Sequence, residues 1–375
     1  MARKKTAIVS VTNDLYTDNR VDKICHFLEH QGYTVTLVGR QKKDSVALNP
    51  RSYKTVRMRL LAEKGPLFYA YFSFRLFLFL LFKRADLLVS NDLDTLLANY
   101  SASKFKSNTR LVYDSHEYFT EVPELINRPS VQKFWEGIEH WIFPKLSTIY
   151  TVNASIAELY SKKYSKKVSV VRNISPKWNA DISATKKELG IPEDTFLVIL
   201  QGAGINIDRG AEEAVEAVKL LQNVTLLIVG DGDVIPELKK RVIDYDLQKS
   251  VLFFGKRPYN EMMLFTHFAD IGLTLDKPTN LNYRYSLPNK VFDYMHANTP
   301  IICTKLIEVE RIVLKHNIGV VLPELSPEKL AETIAELQKN PALLSEFKEN
   351  CTLAAHTENW EMECKILEEI YPKID

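Results

Sequence analysis

Short runs of β-branched and aliphatic residues alternate with longer amphipathic stretches along the chain. Apolar runs of about four to eight residues are typical of strands that are buried on both faces. Alternation of such strands with helices predicts an α/β fold, in which parallel sheets are covered by helices. The predicted strands are residues 6–11, 34–38, 86–90, 110–113, 147–152 and 168–171 in the first half, and 196–200, 225–229, 251–254, 271–275, 300–303 and 319–322 in the second. The clearest helical patterns are residues 21–30, 211–221, 234–245, 291–297 and 327–337.

The alternation is interrupted once, at residues 173–179, and it restarts near residue 196. The interruption reads NISPKWN and is the best candidate for a linker. A chain of 375 residues also has the length expected of two domains. The sequence therefore predicts two Rossmann-like domains.

The two halves carry opposite charge, although the whole chain is close to neutral at +2. Residues 1–175 contain 27 Lys and Arg against 16 Asp and Glu, whereas the remainder contains 22 against 31. Opposite signs indicate domains with different partners. A basic half suits a nucleic acid, an anionic membrane or an acidic substrate, and charge by itself does not choose among these.

Composition and cysteine usage exclude several classes of protein. With 46% hydrophobic and 26% charged residues, the chain can bury large cores, which argues against a disordered or collagenous protein. The four cysteines are scattered along the chain, so we expect neither a disulfide scaffold nor a structural zinc site. This cysteine usage is typical of a protein of the reducing cytosol. These cysteines are Cys25, Cys303, Cys351 and Cys364. The apolar run at residues 6–11 is too short for the core of a signal peptide.

Residues Gly65–Phe82 read GPLFYAYFSFRLFLFLLF and are rich in phenylalanine. As a helix they would be about 27 Å long, close to the thickness of a hydrocarbon core. Arg75 near the middle, and a strand pattern that resumes shortly after the segment, argue against a transmembrane span. Two alternatives are left open: a helix buried against the sheet, or a helix lying in a membrane interface. The aromatic residues and the basic Lys64, Lys83 and Arg84 favour the interface.

The predicted strand 196–200 opens into a loop, residues 201–210, that reads QGAGINIDRG and precedes a helix. Ligands of open α/β sheets bind beyond the carboxyl ends of the strands. Gly202 and Gly204 would let backbone N–H groups approach an anion near the helix N-terminus. Arg209 would add donors suited to phosphate oxygens. The spacing matches neither a dinucleotide fingerprint nor a P-loop, and a merely tight turn is the alternative.

A second motif, residues 285–295, reads YSLPNKVFDYM. Pro288 suits the first turn of a helix, which places Lys290 at the N-terminal end of that helix. Asp293 follows three residues later, so the two side chains project from one face. This arrangement suits a nucleotide, with the cation on the phosphate and the carboxylate on the ribose hydroxyls. An ordinary surface ion pair is the alternative.

Together these motifs resemble those of the family-4 (group 1) retaining glycosyltransferases. Residues 201–210 resemble the phosphate loop of that family, and GDG at 230–232 resembles its Gly-x-Gly turn. FFG at 253–255 resembles the segment beside the base, and residues 286–294 resemble a variant of the paired-glutamate motif. The donor-binding residues that the resemblance implies are Gly202, Gly204, Asp231, Gly255, Ser286, Asn289 and Asp293.

The chain departs from the family pattern at several positions. Tyr285 stands near the place of the first Glu of the paired motif, and Asp293 replaces the second. Ala203 lies near the place of a usual Arg, and Arg209 stands where Lys is common. The resemblance then implies that Arg209 and Lys290 together supply the positive charge for the leaving phosphate.

In the first half, the resemblance points to residues that follow predicted strands. His116 would lie at the carboxyl edge of the sheet, where the family often has a histidine that contacts the transferred sugar; a structural histidine is the alternative. Residues 13–20 take the place of the family's Gly-Gly loop, and residues 91–94 read NDLD, with a helix cap as the alternative. The catalytic residues implied are His116, Arg209 and Lys290. The acceptor-side residues implied are Asn13, Asp14, Asp114 and Glu117.

The resemblance also implies the GT-B fold, with two Rossmann-like domains facing each other across a cleft. We expect an acceptor domain at residues 1–175, a nucleotide-sugar donor domain at 176–355, and a C-terminal helix at 356–375 that packs back on the N-terminal domain. The expected reaction is retaining transfer of a sugar from a nucleotide diphosphate-sugar to a hydroxyl of a glycan or lipid-linked acceptor, in cell-surface polysaccharide synthesis.

We expect no cofactor beyond the nucleotide-sugar and no metal ion, since no histidine is clustered with an Asp-x-Asp motif along the sequence. An anionic membrane surface is an expected partner. We therefore expect the protein in the cytoplasm, bound peripherally at the inner face of the cell membrane. Nucleic acid is not expected, because the basic residues cluster around the Phe-rich segment. The alternatives are a sugar-nucleotide epimerase on the same frame and an inactive membrane-associated scaffold.

Overall fold

The computed structural model describes residues 4–16, 18–178, 182 and 184–374, which divide into two compact units. The first unit contains the described residues of Met1–Asn173 and Glu363–Asp375, and the second those of Ile174–Met362. The chain first passes from one unit to the other after Asn173, two residues before the expected end of the N-terminal domain at residue 175. Thr17, in the motif 13–20, and Asn179, at the end of the candidate linker, lie outside the described residues.

The first unit is built on a seven-stranded sheet. Its strands are β1 (Thr6–Asp14), β2 (Thr34–Gln41), β3 (Lys54–Arg59), β4 (Leu87–Asn91), β5 (Arg110–Ser115), β6 (Ile149–Thr151) and β7 (Ser169–Val170). Its helices are α1 (Asn19–His30), α2 (Gly65–Phe82), α3 (Leu93–Ser103), α4 (Pro123–Ile126), α5 (Pro129–Ile142) and α6 (Ala154–Tyr164), with 3-10 turns at Phe119–Glu121 and Phe143–Lys145. The strand order is β3-β2-β1-β4-β5-β6-β7, and neighbouring strands are parallel.

The second unit is built on a six-stranded sheet. Its strands are β8 (Phe196–Gly202), β9 (Val224–Gly230), β10 (Val251–Gly255), β11 (Ile271–Thr274), β12 (Ile301–Cys303) and β13 (Gly319–Val321). Its helices are α7 (Ala211–Val218), α8 (Ile235–Asp244), α9 (Tyr259–Phe268), α10 (Leu281–Arg284), α11 (Lys290–His296), α12 (Ile307–His316), α13 (Pro327–Gln338) and α14 (Pro341–Ala355). The order β10-β9-β8-β11-β12-β13 is parallel throughout, which confirms the α/β prediction. The last helix, α15 (Trp360–Ile370), begins in the second unit and continues in the first.

Strand β3 was not predicted from the sequence. Its residues alternate basic Lys54, Arg57 and Arg59 with Val56 and Met58, so it lacks the continuous apolar run of a central strand. The strand lies at the edge of the sheet, beside β2. Edge strands tolerate charged side chains because one side of the strand is open to solvent.

Helix α2 is a crossover helix of the first sheet. It is the one helix among the described residues that is long and apolar enough to cross a membrane, by length and composition, and 22% of it is buried. Strand β3 before it and strand β4 after it belong to the same sheet, which argues against a membrane span between them. Its buried side chains repeat every four residues and pack into the core beside the sheet. They are Phe68, Phe72, Leu76 and Leu80.

The end of the chain is held in the first unit by buried contacts. Tyr371 is fully buried, and its hydroxyl donates to that of Tyr150 at 3.2 Å. Arg172 donates from Nη2 to the buried Glu363 carboxylate at 2.6 Å. Trp360, at the start of α15, is also buried within the second unit, where its N–H donates to the Ser175 carbonyl at 3.2 Å.

Candidate active-site residues

Two loops at the carboxyl edge of the second sheet pack backbone against backbone. The N–H of Ile205 donates to the carbonyl of Asp231 at 2.9 Å, and the N–H of Asp231 donates to that of Gly202 at 3.3 Å. A Cβ on Gly230 would lie 1.8 Å from the Gly202 oxygen, and one on Gly232 would lie 2.0 Å from the Ile205 oxygen. These two positions therefore require glycine, and the loops after β8 and β9 form one rigid structure.

The remaining predicted loop residues differ in their surroundings. A Cβ on Gly204 would meet no atom closer than 3.6 Å, so close packing does not demand glycine there. Asp231 is about half exposed and lies 3.6 Å from the Lys256 ammonium. Gly255 has a φ of +65°, which favours glycine at the end of β10.

Arg209 and Lys290 meet at a carboxylate that the sequence reasoning missed. Arg209 Nη1 lies 2.6 Å from one oxygen of Asp276, and Lys290 Nζ lies 3.5 Å from the other. Asp276 is fully buried, whereas the Arg209 and Lys290 side chains are 26% and 13% exposed. The structure therefore brings the two predicted cations to a single point, and each keeps some surface open to a ligand.

The electrostatics of this cluster favour the charged forms of Asp276 and Arg209. Burial alone would raise the pKa of the Asp276 carboxyl, but Lys290 and Arg209 hold it below its usual range. Burial likewise opposes the charge of Arg209, and Asp276 more than offsets this and raises the pKa of the guanidinium. The Arg209 guanidinium also lies 4.4 Å from the ring centroid of Tyr283. Ring and carboxylate together fix the orientation of Arg209.

A sequence signal for Asp276 does exist. The residue follows β11 after the apolar run IGLTL, so an acidic side chain stands where a buried strand ends. Carboxyl ends of parallel strands are where functional side chains gather. The same rule places His116 after β5, and it applies equally to Asp276 after β11.

Asp293 lies on helix α11 with Lys290 but has other partners. Its Oδ1 accepts hydrogen bonds from Ser175 Oγ at 3.0 Å and from the Tyr259 hydroxyl at 3.1 Å. Lys290 pairs with Asp276 and not with Asp293. The alternative, a surface ion pair between Lys290 and Asp293, therefore does not describe these contacts. Asp293 is 6% exposed, so it is a preoriented acceptor rather than a solvated charge.

The other two predicted residues of this motif serve different purposes. Ser286 Oγ donates to the Tyr283 carbonyl at 2.9 Å, so its hydroxyl stabilises the turn that follows α10. Asn289 precedes α11, is exposed, and makes no side-chain cap hydrogen bond with the helix. Its amide is therefore accessible to a ligand.

In the first unit, His116 lies between two carboxylates just after β5. Its Nδ1 is 3.2 Å from Asp92 Oδ2, and its Nε2 is 3.3 Å from Asp114 Oδ2. The Nε2 atom is also 3.1 Å from Asn91 Oδ1. Burial alone would lower the pKa of His116, but Asp92 and Asp114 raise it to about 9. The ring is therefore a cation at neutral pH.

Asp114 is fully buried and binds Arg20 as well as His116. Arg20 donates from Nη2 to Asp114 Oδ1 at 2.7 Å and from Nη1 to the Val171 carbonyl at 3.0 Å. Burial would raise the pKa of Asp114, but Arg20 and His116 lower it to about 2. The carboxylate of Asp114 is thus occupied by Arg20 and His116, and its predicted place on the acceptor side stays a prediction.

The helix-cap interpretation of residues 91–94 is wrong. Asp92 precedes α3 but makes no side-chain hydrogen bond with the first turn of the helix. Its Oδ1 instead accepts from the backbone N–H of His116 at 2.8 Å. Asp92 therefore belongs to the His116 cluster, a contact that the motif 91–94 did not by itself indicate.

The other predicted acceptor-side residues are more dispersed. Asp14 binds the Arg57 guanidinium at 2.7 Å and accepts a hydrogen bond from Ser45 Oγ. Asn13 is exposed, with its amide 3.5 Å from Asp18 Oδ2. Glu117 is half-buried beside His116, and its carbonyl accepts from Ser115 Oγ. Asp14 is therefore largely occupied by protein contacts, whereas Asn13 is open to solvent.

Within the residues that the structure describes, no group of three or more His, Cys, Asp or Glu side chains is arranged to hold a metal ion.

Two family models match the chain, one on each unit. The model of Glycosyltransferase Family 4 matches residues 18–174, and that of Glycosyl transferases group 1 matches residues 181–353. Together these two ranges cover most of the chain.

Individual relatives are more distant. A segment of 151 residues is 25% identical to the amylovoran biosynthesis glycosyltransferase AmsK of Erwinia amylovora, and covers 39% of this chain and 37% of that protein. The chain thus spans little more than a third of the length of this curated relative.

Solved structures are similar over nearly the whole chain. Sucrose-phosphate synthase from Thermosynechococcus elongatus has a TM-score of 0.77 at 16% identity, covering 98% of both chains. HepE from Anabaena in complex with UDP-glucose has a TM-score of 0.71 at 13% identity, covering 97% of this chain and 99% of that one. At 13–16% identity, the similarity to these structures establishes the fold alone.

Proposed function

Because the chain belongs to the family-4 (group 1) glycosyltransferases of the GT-B fold, we propose that it transfers a sugar from a nucleotide diphosphate-sugar to a hydroxyl group and retains the configuration of the anomeric carbon. The observation that carries this proposal is the convergence of Arg209 and Lys290 on buried Asp276. The resemblance to the family implies the same pair of cations for the leaving phosphate.

The chemistry of the reaction explains why such a cluster is useful. As the bond between the anomeric carbon and the diphosphate breaks, negative charge develops on the departing phosphate oxygens. Donors that are already oriented stabilise this charge without reorganising at the moment of reaction. Asp276 and Tyr283 hold Arg209 in one orientation, and Asp276 also holds Lys290.

The acceptor hydroxyl attacks from the face that the diphosphate leaves. A new bond forms between its oxygen and the anomeric carbon, and its proton passes to an oxygen of the leaving phosphate. No protein base and no metal ion takes part in this proposal. The resemblance of the motifs to the family supports it, as does the cationic cluster.

The donor is a nucleotide diphosphate-sugar. Asp293, fixed by Ser175 and Tyr259, is the acceptor for ribose hydroxyls. HepE is known in complex with UDP-glucose, and this supports UDP-glucose as the first donor to test. The name of AmsK supports an acceptor in polysaccharide synthesis, a glycan or a lipid-linked sugar.

The proposal is tested by incubating the protein with a panel of sugar nucleotides, with and without lipid-linked and glycan acceptors. We expect nucleoside diphosphate release that requires an acceptor, continues in EDTA, and gives a product with the donor's anomeric configuration by NMR. An inverted product would contradict retention, and loss of activity in EDTA would contradict metal independence.

Two other results would favour the alternatives. Conversion of the sugar nucleotide into a new one without acceptor would indicate an epimerase. If no nucleotide raised the melting temperature, an inactive scaffold would be favoured, since saturation at 100 times Kd adds about 2.7 kcal/mol to the free energy of unfolding.

We further propose that the protein binds an anionic membrane peripherally at its cytoplasmic face, through the side of α2 that is turned away from the core. Leu67, Phe74 and Phe82 on this helix are 76%, 59% and 80% exposed. Exposed basic residues, Lys64 before the helix and Lys83 after it, complement an anionic surface. Phe72 is fully buried in the core, so it lies on the opposite side of the helix and is not part of this surface.

Replacing Leu67, Phe74 and Phe82 together by serine is expected to abolish most binding to vesicles that contain anionic lipid, because these side chains supply the apolar contact. The matched control replaces Leu220, Ile243 and Leu314, which are similarly exposed in the second unit, by serine. Vesicle co-sedimentation at low and high salt measures both variants, and salt should weaken wild-type binding. A wild type that stays in solution at low salt contradicts the proposal.

A further inference from the structure

Asp92 has a backbone conformation that is unusual for a residue with a side chain. Its φ is 58° and its ψ is 170°, a region occupied almost only by glycine. Such strain persists where the surrounding structure overcomes it, and it is common at functional sites. The side chain does not cap helix α3, so capping does not explain the conformation.

Both carboxylate oxygens of Asp92 are directed at one residue. Oδ1 accepts from the backbone N–H of His116 at 2.8 Å, and Oδ2 lies 3.2 Å from its Nδ1. A single carboxylate therefore holds both the main chain and the ring of His116. Asp114 and Asn91 contact Nε2, so the ring is fixed through both of its nitrogens.

We propose that Asp92 is a positioning residue that fixes the orientation and the positive charge of His116 for sugar transfer. The proposal rests on the proposed function, together with the role that the family resemblance implies for His116, a contact to the transferred sugar. An imidazolium with both N–H groups engaged cannot take the proton of the acceptor hydroxyl. His116 then contributes a fixed charge, and the proton goes to the leaving phosphate.

The groups that face His116 define its titration. Asp92 precedes helix α3, Asp94 lies in its first turn, and Asp114 lies near the end of β5. Arg20 on α1 acts in the opposite direction and lowers the pKa of His116. His116 has a pKa of about 9 in this environment. Removing the charge of Asp92 should lower that pKa, because Asp92 is the strongest favourable influence on it.

The test compares Asp92→Asn with Asp92→Gly. Asn keeps the size and the strained backbone but loses the charge, whereas Gly loses the side chain and relieves the strain. We expect both variants to lower kcat by tenfold or more with little change in the KM of the donor. The melting temperature should fall in Asp92→Asn and be less affected, or rise, in Asp92→Gly.

The titration of His116 distinguishes this proposal from a purely structural role of Asp92, because a purely structural role would leave the pKa of His116 unchanged. NMR of the histidine ring protons, with His116→Gln to assign the signal, should show the pKa of His116 falling by one unit or more in both variants. The alkaline limb of kcat/KM should move to lower pH by the same amount. Asp86→Asn, which removes a carboxylate bound to Thr6 instead, is the control and should leave the titration of His116 unchanged.

The outcomes separate this inference from the proposed function. An unchanged His116 pKa in both variants overturns the role of Asp92, whatever the activity. A lowered pKa with normal kcat and an unmoved alkaline limb also overturns it. If the wild type transfers no sugar from any donor, the proposed function fails, and the titration alone decides whether Asp92 sets the charge of His116.

Discussion

Replacing Arg209 by alanine is expected to lower kcat/KM about 100-fold, in line with the loss of one preorganised contact to developing negative charge. Arg209 is held by Asp276 and Tyr283, so it meets the leaving phosphate without losing side-chain freedom during the reaction. Lys290→Ala should cost tenfold or more, since its ammonium is further from Asp276. Steady-state kinetics with the donor identified in the panel measures both effects.

The control for charge removal is Arg241→Ala. Arg241 lies on α8 in the same unit and forms ion pairs with Glu216 and Glu237. It has no part in the Asp276 cluster, and its loss should leave kcat/KM within about twofold, as is usual for a surface ion pair. Near-normal turnover in Arg209→Ala and Lys290→Ala together would remove the leaving-group assignment.

Replacing Tyr371 by alanine is expected to lower the free energy of unfolding of the first unit by about 3–5 kcal/mol, the usual effect of truncating a large buried aromatic side chain. Tyr371 is fully buried against Tyr150, and its ring also contacts that of Phe27. Denaturant unfolding measures the total effect. Hydrogen exchange of the strands in the first unit shows whether the loss is located there.

Tyr371→Phe is the matched control because it keeps the ring and removes only the hydroxyl. It should cost about 1 kcal/mol, the net value of one hydrogen bond, here the one to Tyr150. Deleting residues 363–375 should destabilise the first unit at least as much as Tyr371→Ala. A truncated protein with unaltered melting behaviour would show that the end of the chain does not stabilise this unit.

The strands of the second unit were predictable because each is a short apolar run. All six predicted strands are observed within two residues of their expected ends, as for β8 and β9. Burial on both faces requires apolar side chains at every position, and that requirement is visible in a few consecutive residues. Edge strand β3 has one open side, so the same signal is absent from it.

The candidate site was predictable only where one segment carries the chemistry. Arg209 and Lys290 were identified from loops that follow a strand or begin a helix, and His116 from its position after β5. Asp276 was not identified, and Asp92 and Asp114 were named without their contacts to His116. Asp276 is 67 residues from Arg209 along the chain, and Asp92 is 24 residues from His116.

The sequence by itself determined the strands other than β3, the clearest helices, the two-domain division, the motifs and, through them, the family. These properties depend on spacing between near neighbours, which backbone geometry converts directly into strands, helices and turns. Only the tertiary structure decided which carboxylates hold the cations, which glycines are required at Gly230 and Gly232, and which side of α2 is buried. Those properties depend on where the sheet brings distant strand ends together, and no local pattern records the resulting distances.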